Sequence, residues 1–364
     1  MTGGVGFGVF SIEGDAPRVG FRVGHGILDL AAAGLGEVFT ARSLNPFLAL
    51  GRSAWEDTLA RIDQLVTGGA EIIPLEQATA HLPIEVGDYV DFYSSLEHAT
   101  NLGRMFRPDS EPLLPNWRHL PVGYHGRAGT VVVSGTPVRR PRGQAKMPDA
   151  AAPVFGPSKR LDIELELGFV VGVPSTLGEP VPASAFRDYV FGLVLVNDWS
   201  ARDIQAWEYV PLGPFLGKSF ATSISAWVTP LALLEDRRVA SPVQQPEPLS
   251  HLRVEGDWAL DVPLEVELNG TVISRGNARG LYWTMPQQLA HATSNGASVR
   301  TGDLIASGTI SGAERGSEGS LIELTWNGTE PIRVGDDIRT FLEDGDEVVL
   351  RGEPLGEVRG RVVA

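Results

Sequence analysis

The sequence predicts a mainly β protein of the α+β class, and three observations carry that expectation. Gly 43 and Pro 26 make up close to a fifth of the 364 residues, above the usual share of about 12% yet below the disordered range, which points to many turns. Past residue 85, short alternating or continuously apolar runs outnumber helical patterns. The helical stretches that remain are few and short.

Taken in order, residues Val5 to Leu30 hold short apolar runs (Val9, Phe10, Val19, Phe21, Val23, Ile27, Leu28) broken by glycines at 8, 20, 24 and 26, the pattern of a small β-rich unit. Ser53-Ala-Trp-Glu56 has capping-box spacing and opens an expected helix. Trp55, Leu59, Ile62 and Val66 recur at helical period, and Gly68 ends it. Sequence character changes across Pro83 to Gly87, which divides the chain into expected domains 1–84 and 85–364. Strands are then expected at Thr130–Ser134, Leu161–Gly172, Val190–Val196, Leu264–Ile273, Leu321–Trp326 and Glu347–Leu350. Helices are expected at Ser94–Met105, Ser200–Tyr209 and Met285–Ser294, the last with Pro286 just inside its start. Ala240–Pro248 reads as a surface loop, and no internal repeat is visible.

Composition narrows the function. Thirty Lys and Arg against 45 Asp and Glu give a net charge of −15, and the pI is near 4.9, which argues against nucleic acid and anionic membranes as partners. With no cysteine there are no disulfides, thiolate metal sites or Cys nucleophiles. Met1 to Asp15 lacks a basic segment followed by a long apolar core, and the longest apolar run, Tyr189 to Val196, is strand-sized. The expectation is a soluble cytoplasmic protein. P-loop, dinucleotide-binding, zincin and nucleophile-elbow motifs are all missing from the sequence.

The spacing of a few acids is the strongest signal. Leu161-Asp-Ile-Glu-Leu-Glu-Leu-Gly-Phe169 alternates strictly, so Asp162, Glu164 and Glu166 share one face of a strand. On an isolated strand such carboxylates face water and repel each other. Here the neighbouring run Val190–Val196 reads as a strand buried on both faces, and it leads straight into Asn197-Asp198. Asp91 precedes a segment carrying His98. Acidic side chains with no Cys or paired His form a hard-oxygen set suited to Ca²⁺ or Mg²⁺ rather than zinc. Arg202, Gln205 and Tyr209 fall at i, i+3 and i+7 and share a helix face. Of the seven histidines only His98 stands out, with Asp91 and Tyr93 before it and Arg107 after it.

Long stretches around these residues closely resemble the fumarylacetoacetase (fumarylacetoacetate hydrolase) family. They are Asp91-Phe-Tyr-Ser-Ser-Leu-Glu-His98 through Arg107, Leu114-Pro-Asn-Trp through Arg127, Asn197-Asp-Trp-Ser-Ala-Arg-Asp-Ile-Gln205, Trp207 through Lys218-Ser-Phe, and Ala306-Ser-Gly-Thr309-Ile-Ser-Gly. The likeness runs over nearly the whole chain and is weakest at the N-terminus and around residues 236–262. It implies a small N-terminal SH3-like β-barrel followed by a mixed β-sandwich roll, in a homodimer. It implies a metal-dependent hydrolase that cleaves a C–C bond of 4-fumarylacetoacetate to fumarate and acetoacetate, the last step of tyrosine and phenylalanine catabolism. By matching position, Asp91, Glu164, Glu166 and Asp198 would hold Ca²⁺, His98 would be the base, and Glu323 its orienting acid. Arg202, Gln205 and Lys218 would face the reacting centre, while Tyr93, Arg107, Gln205, Tyr209 and Thr309 would touch substrate. A second, structural Mg²⁺ would lie near Asp198, Lys218 and Thr222, with Lys218 contributing main chain, since a charged ammonium has no lone pair. Glu323 follows from the resemblance alone. Two alternatives stay open at this point: a hydrolase of a related acylpyruvate or diketo acid, and a non-catalytic cation-binding protein.

Overall fold

Val190–Asp198 is apolar almost throughout because both of its faces are covered, and the architecture is built around it. The computed structural model describes residues 5–147 and 149–364. The strands that shape the site are β1 (Val5–Ile12), β2 (Arg18–Val23), β3 (Gly26–Asp29), β4 (Tyr89–Phe92), β5 (Gly123–His125), β6 (Leu165–Val171), β7 (Val190–Asp198), β8 (Trp227–Pro230) and β9 (Leu304–Ala306). Within one large sheet they lie side by side in the order β3-β2-β1-β8-β7-β6-β9-β4-β5. The helices used below are α1 (Arg52–Thr67), α2 (Leu96–Phe106), α3 (Arg202–Glu208), α4 (Met285–Thr293) and the single turn α5 (Leu321–Leu324).

The mixed α+β sandwich holds. On one face of β7, Leu193 and Leu195 join Leu264, Val266, Leu350 and Val358 in a common core. These partners come from a second, five-stranded sheet that includes Pro263–Leu268, Glu347–Gly352 and Gly356–Val363. On the other face Phe191, Val194 and Val196 pack with Phe7, Phe47 and Trp55. The Phe191 ring lies 5.2 Å from Trp55 and 5.5 Å from Phe7, both edge to face, the favourable geometry for aromatic pairs. The N-terminal strands do not close into a barrel of their own. Instead β1 pairs antiparallel with β8, Phe7 opposite Val228, so they continue the central sheet.

Four local expectations are corrected. The first helix begins at Arg52 behind Gly51, whose φ of 85° makes the turn, and Ser53 caps nothing; Glu56 accepts instead from Arg52 Nε at 2.8 Å. Ser200 is likewise no N-cap: it pairs with Asp162 in a short strand, and α3 starts only at Arg202, so Tyr209 lies just past its end. The run Leu161–Gly172 breaks at Ile163–Glu164, where the Asp162 side chain accepts from its neighbour's N–H. The alternation still sends Leu161, Ile163, Leu165, Leu167 and Phe169 into one core, but the other face is buried too. The expected strand Leu321–Trp326 is instead the helical turn α5, Leu321–Leu324, and a turn that follows it, because a carboxylate binds the Leu321 and Ile322 N–H groups that a ladder would need.

Candidate active site

Three strands of the large sheet deliver the acids, β7 and β6 side by side and β4 beyond the intervening β9. Glu166 stands on β6, opposite Val196 of β7, and Asp198 ends β7. β9 runs parallel to β4 and sets Ala306 beside Asp91. Glu164 comes from the break before β6. One oxygen from each of Asp91, Glu164, Glu166 and Asp198 lies within 4.8 Å of the others, and all four residues are buried. The quartet picked out by spacing is thus a single cluster. Asp162, on the same strand face by alternation, is not part of it.

Two cations enter the cluster. Lys218 Nζ donates to Asp198 Oδ2 at 2.7 Å and to Glu164 Oε2, and Arg202 Nη2 lies 2.8 Å from Glu164 Oε1. Thr222 Oγ1 donates to Asp198 Oδ1 at 3.0 Å and Tyr124 Oη to Asp198 Oδ2 at 2.8 Å. Burial alone would raise the Glu164 pKa, but Lys218, Arg202 and His98 outweigh it and hold it at about 2. Asp91 and Glu166 go the other way: burial pushes their carboxyls well up, and the neighbouring carboxylates add to the shift. Asp91 Oδ1 and Glu166 Oε1 have no hydrogen-bond partner among the described residues. Buried carboxylate oxygens without a donor are costly unless a cation is supplied. Four hard oxygen donors around that deficit fit a divalent cation such as Ca²⁺.

Gly308, just beyond β9, donates its N–H to Glu166 Oε2 at 3.2 Å. Its φ is +78°, and a Cβ there would meet the Phe92 carbonyl oxygen at 2.2 Å. Gly308→Ala is therefore expected to cost more than about 1 kcal/mol and to weaken cation binding through Glu166. Thermal melts and calorimetric cation titration check both effects.

His98 faces the cluster from α2. Ser95 caps that helix by accepting from the His98 N–H at 3.3 Å, and Nε2 lies 4.0 Å from Glu164 Oε1. On the other ring nitrogen, Nδ1 is 2.6 Å from Glu323 Oε2. A carboxylate can only accept, which assigns a proton to Nδ1 and turns Nε2 toward the cluster, where the neutral ring presents its lone pair. Glu323 is itself held by Asn101 Nδ2 at 3.0 Å, Ser311 Oγ at 2.9 Å and Ser320 Oγ at 2.7 Å. Burial opposes its charge, yet His98 and these donors keep its carboxyl below the usual range. A lowered carboxyl contributes stability above its ordinary value, lost as pH falls through the lowered one. Glu323→Gln should then flatten the acid limb of the stability curve, read from melts between about pH 3 and 7; an unchanged limb would count against the pairing.

The other expected residues divide. Arg202 Nη1 donates to Gln205 Oε1 at 3.3 Å, so those two act together. The Tyr93 ring stands edge-on to His98 at 5.2 Å. Thr309 Oγ1 is buried with no partner among the described residues. Arg107 caps the end of α2 and donates to the Pro112 carbonyl at 2.7 Å, and Tyr209 is 49% exposed; neither has a side-chain bond to the cluster. Sequence reasoning passed over Asn101, Ser311, Ser320 and Tyr124. Asn101 and Ser320 were findable, Asn101 three residues after His98 on one helix face and Ser320 three residues before Glu323; Ser311 reaches Glu323 only through the fold. A cavity of about 270 Å³ opens beside Lys218, lined by Tyr124, His125, Arg127 and Phe215 among others, none of them acidic.

Comparison with known proteins places the chain in a family. A family model described as Fumarylacetoacetase N-terminal matches residues 5–83, and one described as Fumarylacetoacetate (FAA) hydrolase C-terminal matches residues 89–363. The chain is 47% identical to the fumarylacetoacetase of Caenorhabditis elegans, covering 98% of this chain and 94% of that one. It is 48% identical to those of Rattus norvegicus and Homo sapiens, each over 96% of this chain and 91% of theirs. Among solved structures, a fumarylacetoacetate hydrolase from Exiguobacterium antarcticum aligns over 99% of both chains with a TM-score of 0.61 at 17% identity, a likeness of fold. With both family segments matched in order and nearly half of all residues shared along its length, the chain belongs to the fumarylacetoacetate hydrolase family.

Proposed function

We propose that this protein is a hydrolase that cleaves the C–C bond of 4-fumarylacetoacetate with water, giving fumarate and acetoacetate. The observation that carries the reading is the His98–Glu323 pair aimed at the carboxylate cluster, 4.0 Å from Glu164, in a chain 48% identical to fumarylacetoacetases. Asp91, Glu164, Glu166 and Asp198 would hold Ca²⁺. Bound there, the cation would supply Lewis acidity toward the oxygens of a 1,3-diketone and toward the departing enolate. Lys218 Nζ is committed to Glu164 and Asp198, so a second cation, Mg²⁺, would rest on Asp198, the Lys218 main chain and Thr222.

The chain's own residues supply the rest. His98 Nε2 takes a proton from water as its oxygen attacks the ketone carbonyl, and Glu323 stabilises the imidazolium that forms. Arg202, Gln205 and Lys218 donate to the alkoxide, each donor being worth about 2–4 kcal/mol in a dry site. The C–C bond then breaks and His98 returns its proton to the leaving carbon. Tyr93, Arg107, Gln205, Tyr209 and Thr309 position the anionic arms of the substrate. The basic lining beside Lys218 offsets a protein field that otherwise repels an anion.

Residues 1–84 and 85–364 are read as two units of a homodimeric, cytoplasmic enzyme at the end of tyrosine and phenylalanine catabolism. Support for the dimer comes from Val210, Leu212, Phe215, Val154 and Phe155, apolar yet exposed. The charge of −15 disfavours nucleic acid, and no helix of the described residues is long and apolar enough to cross a membrane. The test is steady-state hydrolysis of fumarylacetoacetate with Ca²⁺ and after chelation, together with an acylpyruvate. Turnover that ignores thorough cation removal, or that prefers the acylpyruvate, would overturn the reading.

A further inference from the structure

Asp162 is the acid that alternation placed beside Glu164 and Glu166, and the fold puts it to a different use. It is fully buried at 0% exposure and is not one of the four clustered acids. All of its capacity is taken by donors from three segments. Oδ1 accepts from Leu321 N at 2.7 Å and Ile163 N at 2.8 Å. Oδ2 accepts from Arg202 Nε at 2.8 Å and Ile322 N at 3.1 Å.

Two of these segments are the arms of the site. The far side of the same guanidinium brings Arg202 Nη2 to Glu164, and Leu321 and Ile322 open the turn whose third residue is Glu323. Ser320, which precedes that turn, directs its hydroxyl to Glu323 Oε2 at 2.7 Å and caps nothing. The orphan N–H groups of the turn therefore depend on a carboxylate from a distant strand. A charged acceptor shared between a guanidinium and two backbone donors is a strong and directional link.

We propose that Asp162 is a positioning residue that sets the Arg202 guanidinium and the Glu323–His98 pair in one register. This rests on the roles given above to Arg202, Glu323 and His98. Asn at this position keeps one acceptor: an NH₂ in the Oδ1 place removes the Leu321 bond from the turn, and one in the Oδ2 place removes both the Arg202 and the Ile322 bonds, so either orientation loosens the link between the two arms.

For Asp162→Asn, kcat on fumarylacetoacetate is expected to fall about 100-fold, the usual effect of a misplacement near 1 Å, while KM stays within about 3-fold. Calcium binding by calorimetry is expected to be unchanged. In proton NMR the downfield His98 Nδ1–H signal of the short bond to Glu323 should weaken or move. If the single variant fails to fold, Asp162→Asn/Arg202→Met removes the buried cation together with the anion, and its His98 signal is compared with that of Arg202→Met. A folded variant with kcat within about 3-fold of wild type and an unmoved His98 signal would overturn the proposal. Wild type inert toward fumarylacetoacetate would defeat the functional reading alone, because the His98 signal still decides for or against Asp162.

Discussion

His98→Ala is expected to lower kcat on fumarylacetoacetate by about 100- to 10,000-fold, the range for loss of a positioned general base. The imidazole is placed from both sides: Ser95 anchors the first turn of α2, and Glu323 holds Nδ1 at 2.6 Å. Among the described residues no second imidazole joins the cluster, so nothing replaces Nε2. The stability cost should be modest, because Glu323 keeps the Asn101, Ser311 and Ser320 donors after the ring is gone. KM and cation affinity should change little, since His98 holds no member of the quartet by a hydrogen bond. Kinetics and calorimetry on the purified variant measure all three quantities. Retention of more than about a tenth of kcat would remove His98 from the role of base.

The second large effect has an unusual sign. Asp91→Asn and Glu166→Gln should each stabilise the cation-free protein while weakening Ca²⁺ binding. Lys218 and Arg202 are already committed to Glu164, Asp198 and Asp162. Asp91 and Glu166 are left with burial and like charge raising their carboxyls and with an oxygen each unpartnered. An amide removes the charge without changing the shape, which should gain about 1–3 kcal/mol in chelator. With Ca²⁺ present the order reverses, because wild type gains RT ln(1 + [L]/Kd) and the variants gain less. Melting temperatures in chelator and in excess Ca²⁺ read both arms. Variants that melt below wild type in chelator, or that bind Ca²⁺ as tightly, would refute the assignment of these two acids.

Much of the site is legible in the order of residues. Period-two spacing sets Glu164 and Glu166 on one side of the chain, and with Asp198 at the mouth of a doubly buried strand it signals convergence, even though the strand itself breaks at Glu164. Helical period likewise joins Arg202 to Gln205 and His98 to Asn101. Capping was less legible: Ser53 and Ser200 have the right spacing, yet Gly51 makes one turn and strand pairing claims the other serine. A capping residue acts only if its backbone is free to turn there, and neighbours in space decide that.

The sequence by itself determined the class of fold, the acidic hard-ligand set and the family, because these rest on periodicity, residue chemistry and long contiguous motifs. Only the tertiary structure decided what Asp162 does and which donors hold Glu323, whose partnership with His98 the sequence offered through family resemblance and not through spacing. The two acids are 161 positions apart by their numbers in the chain, and both look like ordinary strand acids. One became a fully buried acceptor for Arg202 and α5, the other a carboxylate pinned against His98. The reason is physical: a buried carboxylate takes its role from the donors that surround it, and here most of those donors arrive from distant parts of the chain.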